Sequence, residues 1–106
     1  MISIVPRVLV LEPYADLRSE IAATLQRADY VCDAVGTAED AVLKLDRNTY
    51  QFVLIDMDES DSRALVAGID PAAHVILLTN GENQRAGYVA LRKPFGRAEL
   101  MAQFTN

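Results

Sequence analysis

Three short apolar runs in the chain each stop at a polar residue, and this pattern restricts the fold more than any other feature. Phe52-Val53-Leu54-Ile55 ends at Asp56, Val75-Ile76-Leu77-Leu78 at Thr79, and Val89-Ala90-Leu91-Arg92 at Lys93-Pro94-Phe95. Runs of this length and apolarity are the pattern of strands buried on both faces, as in a parallel sheet covered by helices. In open parallel sheets the chemistry sits just beyond the carboxyl ends of the strands. An acid, a hydroxyl and an amine, far apart in sequence, are therefore expected to converge at one sheet edge. That trio suits a carboxylate that accepts a phosphoryl group.

The remaining segments alternate between strand and helix patterns. Arg7 to Leu11 reads as a first strand, Tyr30 to Val35 as a second and weaker one carrying Cys32. Between them, Tyr14 to Ala28 reads as an amphipathic helix. Leu17, Ile21 and Leu25 recur at i, i+4 and i+8, and Arg18, Glu20 and Arg27 fall off that stripe. Thr37 with Asp40 resembles a helix-starting cap, ahead of a helix to about Asp46 with Ala38, Ala41, Val42 and Leu45 on one face. Gln51 to Asp56 is the third strand. Asp61 or Ser62 starts a short helix ending near Gly68, and Asp70-Pro71 marks a turn. Ala73 to Thr79 and Tyr88 to Arg92 are the fourth and fifth strands. A last helix runs from about Arg97 to Phe104, with Leu100, Met101 and Phe104 facing inward. This order means a layered α/β fold in one domain spanning residues 1–106.

One connection breaks the alternation. Only Asn80 to Gly87 separates the fourth run from Tyr88, with two glycines and almost no apolar face. A parallel crossover carrying a helix normally needs about a dozen residues. An extended loop of this length reaches roughly 25 Å, enough to return along a strand of about 17 Å. The fourth helix of the pattern is therefore expected to be reduced or missing.

The bulk numbers exclude several classes. Fifteen acids against ten bases give a net charge of −5, without the basic stripe that nucleic-acid binding needs. A single cysteine excludes an internal disulfide and any cysteine-based metal spacing. The apolar start, Met1 to Pro6, is too short for a signal peptide or a membrane span. A cytoplasmic location without membrane or nucleic-acid partners is the expectation.

With the strands placed, the chain resembles the receiver domain of two-component response regulators over nearly its whole length. Val8-Leu9-Val10-Leu11-Glu12-Pro13 has the shape of that family's first strand and acidic turn. Asp56 matches the phosphoacceptor, Thr79 the switch hydroxyl, and Lys93-Pro94-Phe95 the lysine, its cis-proline and the following aromatic. The resemblance implies a flavodoxin-like, doubly wound, five-stranded parallel sheet of order 2-1-3-4-5. It also implies that Asp56 attacks a phosphoryl group, with Lys93 and Thr79 neutralising the phosphoryl oxygens. Family members hold Mg²⁺ with the acceptor Asp, an acidic pair after strand one, and a backbone carbonyl two residues past the acceptor. Carried over, the ligands are Glu12 and Asp56, with the Met57 or Asp58 carbonyl. A histidine kinase or phosphotransfer protein is the implied donor, and an output domain or other signalling protein the implied partner.

The chain departs from the family pattern at four places. Pro13 replaces the second acid of the pair, so Mg²⁺ binding is expected to be weak or absent. Asn80 follows Thr79 where a very small residue is usual. Ala90 stands where the switch aromatic is expected, and Tyr88 lies two residues earlier on the same strand face. The fourth helix is short. These departures favour an atypical receiver that acts by association, self-association included, through the face the short helix leaves open. Tyr88, Arg97 and Met101 are the contacts expected there, and a short last helix before Thr105-Asn106 leads us to expect an output segment.

An enzyme is the alternative. Asp56-Met57-Asp58 also resembles the Asp-x-Asp motif of haloacid-dehalogenase phosphohydrolases, with Asp56 as nucleophile, Asp58 as acid/base and Lys93 as the lysine. Those enzymes place the motif near the start of the fold, whereas two β-α units precede it here, and the expectation is a protein that is not an enzyme. Other residues have plainer readings. Asp58, Glu59 and Asp61 read as a solvated acidic loop. Glu12 also suits a helix start, where the dipole favours an acid. His74 reads as a surface or half-buried residue, Cys32 as core filling, and Tyr14, Tyr30 and Tyr50 as packing at element ends.

Overall fold

The computed structural model describes residues 5–56, 62–81 and 88–104. In chain order the elements are β1 (Arg7–Leu11), α1 (Ala15–Arg27), β2 (Val31–Val35), α2 (Ala38–Arg47), β3 (Phe52–Asp56), α3 (Ser62–Ala67), β4 (His74–Thr79), β5 (Val89–Arg92) and α4 (Arg97–Ala102). The five strands form one all-parallel sheet of order β2-β1-β3-β4-β5, the flavodoxin-like doubly wound arrangement. Asp56 is in register with Leu78, and Thr79 with Arg92, so the polar ends of β3, β4 and β5 share one edge.

Side chains alternate across a strand with period two, and this sorts the core into two layers. Leu9, Leu11, Val53, Ile55 and Leu77 face α2 and α3, where Ala41, Leu65, Val66 and Tyr50 complete the layer. Val8, Val10, Leu54, Ile76, Leu78 and Leu91 face α1 and α4, against Ile21, Leu25 and Leu100. The central strands are closed on both faces, which explains why their sequences run apolar without alternation. Burying each such Leu or Ile contributes about 1.5–3 kcal/mol.

Local chemistry fixes the helix ends. The Thr37 hydroxyl accepts the Asp40 N–H at 3.2 Å, satisfying a donor at the start of α2. α1 closes in a Schellman turn, with Tyr30 N–H on the Leu25 carbonyl at 3.0 Å and Asp29 N–H on the Gln26 carbonyl at 3.1 Å. The turn puts Asp29 at φ 69°, a left-handed position usually given to glycine. Before α4, Glu99 Oε2 accepts the Gly96 N–H at 2.9 Å.

The chain passes from β4 to β5 through residues 80–88, and Asn80, Gly81 and Tyr88 of that segment are not helical. The segment is too short to return along the sheet and carry a full helix, so the fourth helix of the pattern is short or missing.

Three expectations need correction. Val42 does not join the inner face of α2: it is 46 % exposed, beside the groove between α2 and α3. Tyr14 does not pack at the start of α1 but is 70 % exposed, because the chain leaves the sheet edge there toward solvent. α4 ends at Ala102, and Phe104 reaches the core from the turn that follows, against Tyr30 and Phe52. His74 is exposed and stacks on the Phe52 ring at 5.4 Å. Cys32 is half-buried against the α1-side core, and burial, then the nearby Asp33 charge, pushes its thiol up to about 11. No helix among the described residues is long and apolar enough to cross a membrane.

Candidate functional site

The site lies where three strands end. Asp56 closes β3 and is 3 % exposed, Thr79 closes β4, and Lys93 follows β5 directly. Lys93 is tied to the sheet by its N–H, which donates to the Thr79 carbonyl at 2.7 Å, and its bond to Pro94 is cis. Its side chain turns inward, and Nζ lies 2.6 Å from Asp56 Oδ2. The amine and the acid predicted from the strand ends thus meet directly.

A second acid shares that ammonium. Glu12 follows β1, is fully buried, and sets Oε1 2.6 Å from Lys93 Nζ. Its other oxygen, Oε2, accepts the Tyr14 N–H at 3.0 Å just ahead of α1. Glu12 thus sets one carboxylate oxygen on the ammonium and the other on the backbone just ahead of α1. Burying these charges is tolerable because they are paired: two carboxylates lie against one ammonium at hydrogen-bonding distance. Burial on its own pulls the Lys93 pKa down. The hydrogen bonds and charges of Asp56 and Glu12 outweigh it, and the net shift is upward, so the lysine is held protonated.

Thr79 is brought to the same edge but engaged locally. Its hydroxyl accepts the Gly81 N–H at 3.2 Å and donates to the Gly81 carbonyl at 3.4 Å, closing a short turn beyond β4. Asn80, between them, is exposed. Ala90 is half-buried on the β5 face turned toward α2 and α3, and Tyr88 is 40 % exposed. Met57, Asp58, Glu59 and Asp61 lie outside the described residues, as do residues 82–87.

Among the described residues, Glu12 and Asp56 are the side-chain carboxylates at this edge for a divalent cation. Pro13 offers no side-chain oxygen, and both carboxylates already face an ammonium. Among the described residues no group of three His, Cys, Asp or Glu side chains forms a metal site. Glu12 Oε1 and Asp56 Oδ2 each lie 2.6 Å from the Lys93 ammonium. Mg²⁺ demands near-octahedral oxygen ligation, and Glu12 and Asp56 are the carboxylates that the described residues bring together for it.

Two residues make contacts that the sequence reading does not anticipate. Arg18 falls off the apolar stripe of α1, and its Nη1 donates to the Glu12 carbonyl at 2.9 Å and the Pro13 carbonyl at 3.3 Å. Tyr50 is buried as expected, but its hydroxyl also donates to Asp33 Oδ2 at 2.7 Å, and Arg7 Nε lies 3.5 Å from the same oxygen. The Arg18 contacts are local in sequence, but nothing in the sequence pattern marked them. The Tyr50 contact spans strands and was likewise unmarked.

No family model matches the chain, and no curated protein matches it. Solved structures do. A CheY-like response regulator receiver domain from Methylobacillus flagellatus superposes with a TM-score of 0.82 at 19 % identity, covering 95 % of this chain and 97 % of that one. The signal receiver domain of a LuxO-type repressor from Vibrio parahaemolyticus gives 0.84 at 24 % identity, covering 95 % and 88 %. The beryllofluoride-activated receiver domain of DrrB gives 0.79 at 21 % identity, covering 95 % of each chain. At these identities the likeness establishes a shared fold.

Proposed function

We propose that this chain is a divergent receiver module of phosphorelay signalling, in which Asp56 is the phosphoacceptor and Mg²⁺-dependent phosphorylation is weak or absent. The observation that carries this reading is the Lys93 ammonium 2.6 Å from Asp56 Oδ2 at the carboxyl edge of a 2-1-3-4-5 sheet. In this reading an Asp56 oxygen attacks the phosphorus of a phosphohistidine or a small acyl phosphate. The bond from phosphorus to the donor breaks, and its electron pair leaves with the donor. Lys93 and the Thr79 hydroxyl then face the phosphoryl oxygens, and the charge they supply stabilises the transferred group. The donor is a histidine kinase or phosphotransfer protein. The readout is association with an output domain, a signalling partner or a second copy of the chain. The protein is a cytoplasmic switch or scaffold rather than an enzyme that turns over a substrate.

Two features support the weak-phosphorylation form. Pro13 stands where the second acid of the turn is expected, and Lys93 is already shared between Glu12 and Asp56. A phosphoryl group on Asp56 would have to compete with Glu12 for the same ammonium. Titration with beryllofluoride and Mg²⁺, followed by amide spectra, tests the reading. Small shifts centred on Asp56, Thr79 and Lys93, saturating only at high Mg²⁺, are expected. Rapid labelling of Asp56 by acetyl phosphate at low Mg²⁺ overturns the weak form, and hydrolysis of a generic phosphomonoester lost with Asp58→Asn overturns the receiver reading itself.

A further inference from the structure

Arg18 makes no bond to the Asp56–Lys93–Glu12 cluster, but it is bonded to the backbone that carries the cluster. Its Nη1 donates to the carbonyls of Glu12 and Pro13 at 2.9 and 3.3 Å. Its own N–H donates to the Tyr14 carbonyl at 2.9 Å, which fixes the first turn of α1. Across the turn, the Glu12 N–H donates to the Val35 carbonyl at 3.0 Å, and Gly36 follows Val35. A Cβ on Gly36 would stand 2.6 Å from Arg18 Nη1, so the guanidinium lies in the space a side chain would fill. Pro13 has no N–H to donate. Arg18 binds both carbonyls of the turn, while the Tyr14 N–H holds the Glu12 carboxylate itself through Oε2 at 3.0 Å.

We propose that Arg18 is the positioning residue of this edge. By fixing the Glu12 and Pro13 carbonyls beside Gly36, it aims the Glu12 carboxylate at Lys93 and so sets where the lysine stands relative to Asp56. The step to Asp56 chemistry rests on the receiver reading; the step from Arg18 to Lys93 rests on geometry alone. A flexible side-chain end, not backbone, opposes the missing Gly36 Cβ. Gly36→Ala is thus expected to push the guanidinium aside without breaking the fold, and to reproduce the loss of Arg18 from a position with no polar chemistry.

The test reads Lys93 itself. In nitrogen-15-labelled protein the buried, paired Lys93 ammonium gives a slowly exchanging signal, assigned by its loss in Lys93→Met. Arg18→Ala and Gly36→Ala are each expected to speed its hydrogen exchange several-fold. The double variant is expected to be no faster than the worse single one, because both remove the same contact. Arg18→Lys, which keeps a cationic donor but lacks the guanidinium that fills the space beside Gly36, recovers part of the protection. Tyr50→Phe, which loses a hydrogen bond near the opposite end of the sheet, is the control for general loosening. Exchange that is unchanged in Arg18→Ala, additive effects in the double variant, or equal acceleration by Tyr50→Phe would each overturn the proposal. If Arg18→Ala does not fold, Gly36→Ala and Arg18→Lys carry the same comparison. An Asp56 that accepts neither acetyl phosphate nor beryllofluoride removes the receiver reading and leaves this measurement intact.

Discussion

Glu12 Oε1 and Lys93 Nζ lie 2.6 Å apart, with their side chains 0 % and 9 % exposed, although 80 residues of sequence separate them. Asp56 holds the same ammonium from the other side. The three charges leave one net negative charge at the sheet edge, and Lys93 cannot leave without exposing two buried carboxylates to each other.

Lys93→Met is therefore expected to be strongly destabilising at neutral pH, by about 3–5 kcal/mol, the cost of breaking a buried ion pair from one side. Urea unfolding of the variant and the parent at pH 7 checks this, and a variant as stable as the parent contradicts the shared-ammonium geometry.

In the unmodified protein the Lys93 contribution to stability is lost on the alkaline side. The folded-state pKa of Lys93 is raised above its ordinary value, first against burial and then by the bonds to Asp56 and Glu12. Its stabilising contribution is complete below the usual lysine range near about 10.4 and is lost as pH rises through the raised value. The Tyr50 hydroxyl, also shifted upward by burial and by its bond to Asp33, adds loss in the same direction. Denaturant midpoints measured from pH 8 upward are expected to hold steady and then fall. Tyr50→Phe removes only the tyrosine part of the fall.

Pro13→Asp returns a side-chain oxygen to the acidic turn. Mg²⁺ affinity, read from amide shifts near Glu12 and Asp56, is expected to increase by at least about tenfold, or about 1.4 kcal/mol. Equal affinity in the two proteins shows that Pro13 is not what limits the site.

Asp29 holds a left-handed conformation at the end of α1, with φ 69°. Glycine adopts this region without the steric cost an L-residue bears, so Asp29→Gly is expected to stabilise the protein by about 1 kcal/mol. Thermal unfolding checks the direction; a loss of stability shows that the aspartate side chain contributes more than its backbone strain costs.

Tyr88 and Val89 are 40 % and 54 % exposed at the edge strand β5. Exposed apolar side chains on an edge strand suit association. Sedimentation over a concentration series is expected to show self-association that Tyr88→Asp weakens. A monomer at all concentrations, with the variant unchanged, sets that surface aside.

The apolar runs at Val53–Ile55 and Ile76–Leu78 determined much of this protein by sequence alone. Only strands covered on both faces need to be apolar at consecutive positions, and that requirement gives a parallel sheet with helices between its strands. Asp56 and Thr79 were legible for the same reason, because each closes a run whose length and end are set by burial; β5, at the sheet edge, buries only Leu91, so the run read as buried before Lys93 is exposed at Val89 and Arg92. The caps at Thr37 and the inner stripe Leu17, Ile21 and Leu25 were legible too, since both depend on neighbours a few residues away.

The tertiary structure decided what those side chains touch. Glu12 was readable as an acid at a turn, but its role as the second arm of Lys93 depends on β1 lying beside β3 in the sheet order. Val42 fits an inward stripe on a helical wheel, yet it stands exposed beside a groove, because inwardness depends on where α3 lies as well as on period. Arg18 illustrates the division most clearly. Its charge and spacing place it on the polar side of α1, and nothing local distinguishes it from Arg27. Its carbonyl partners are within six residues, but the space its guanidinium fills belongs to Gly36, on a different β-α connection. Periodicity records which residues avoid water. Only the folded chain brings together the groups that must then satisfy one another's charges and hydrogen bonds.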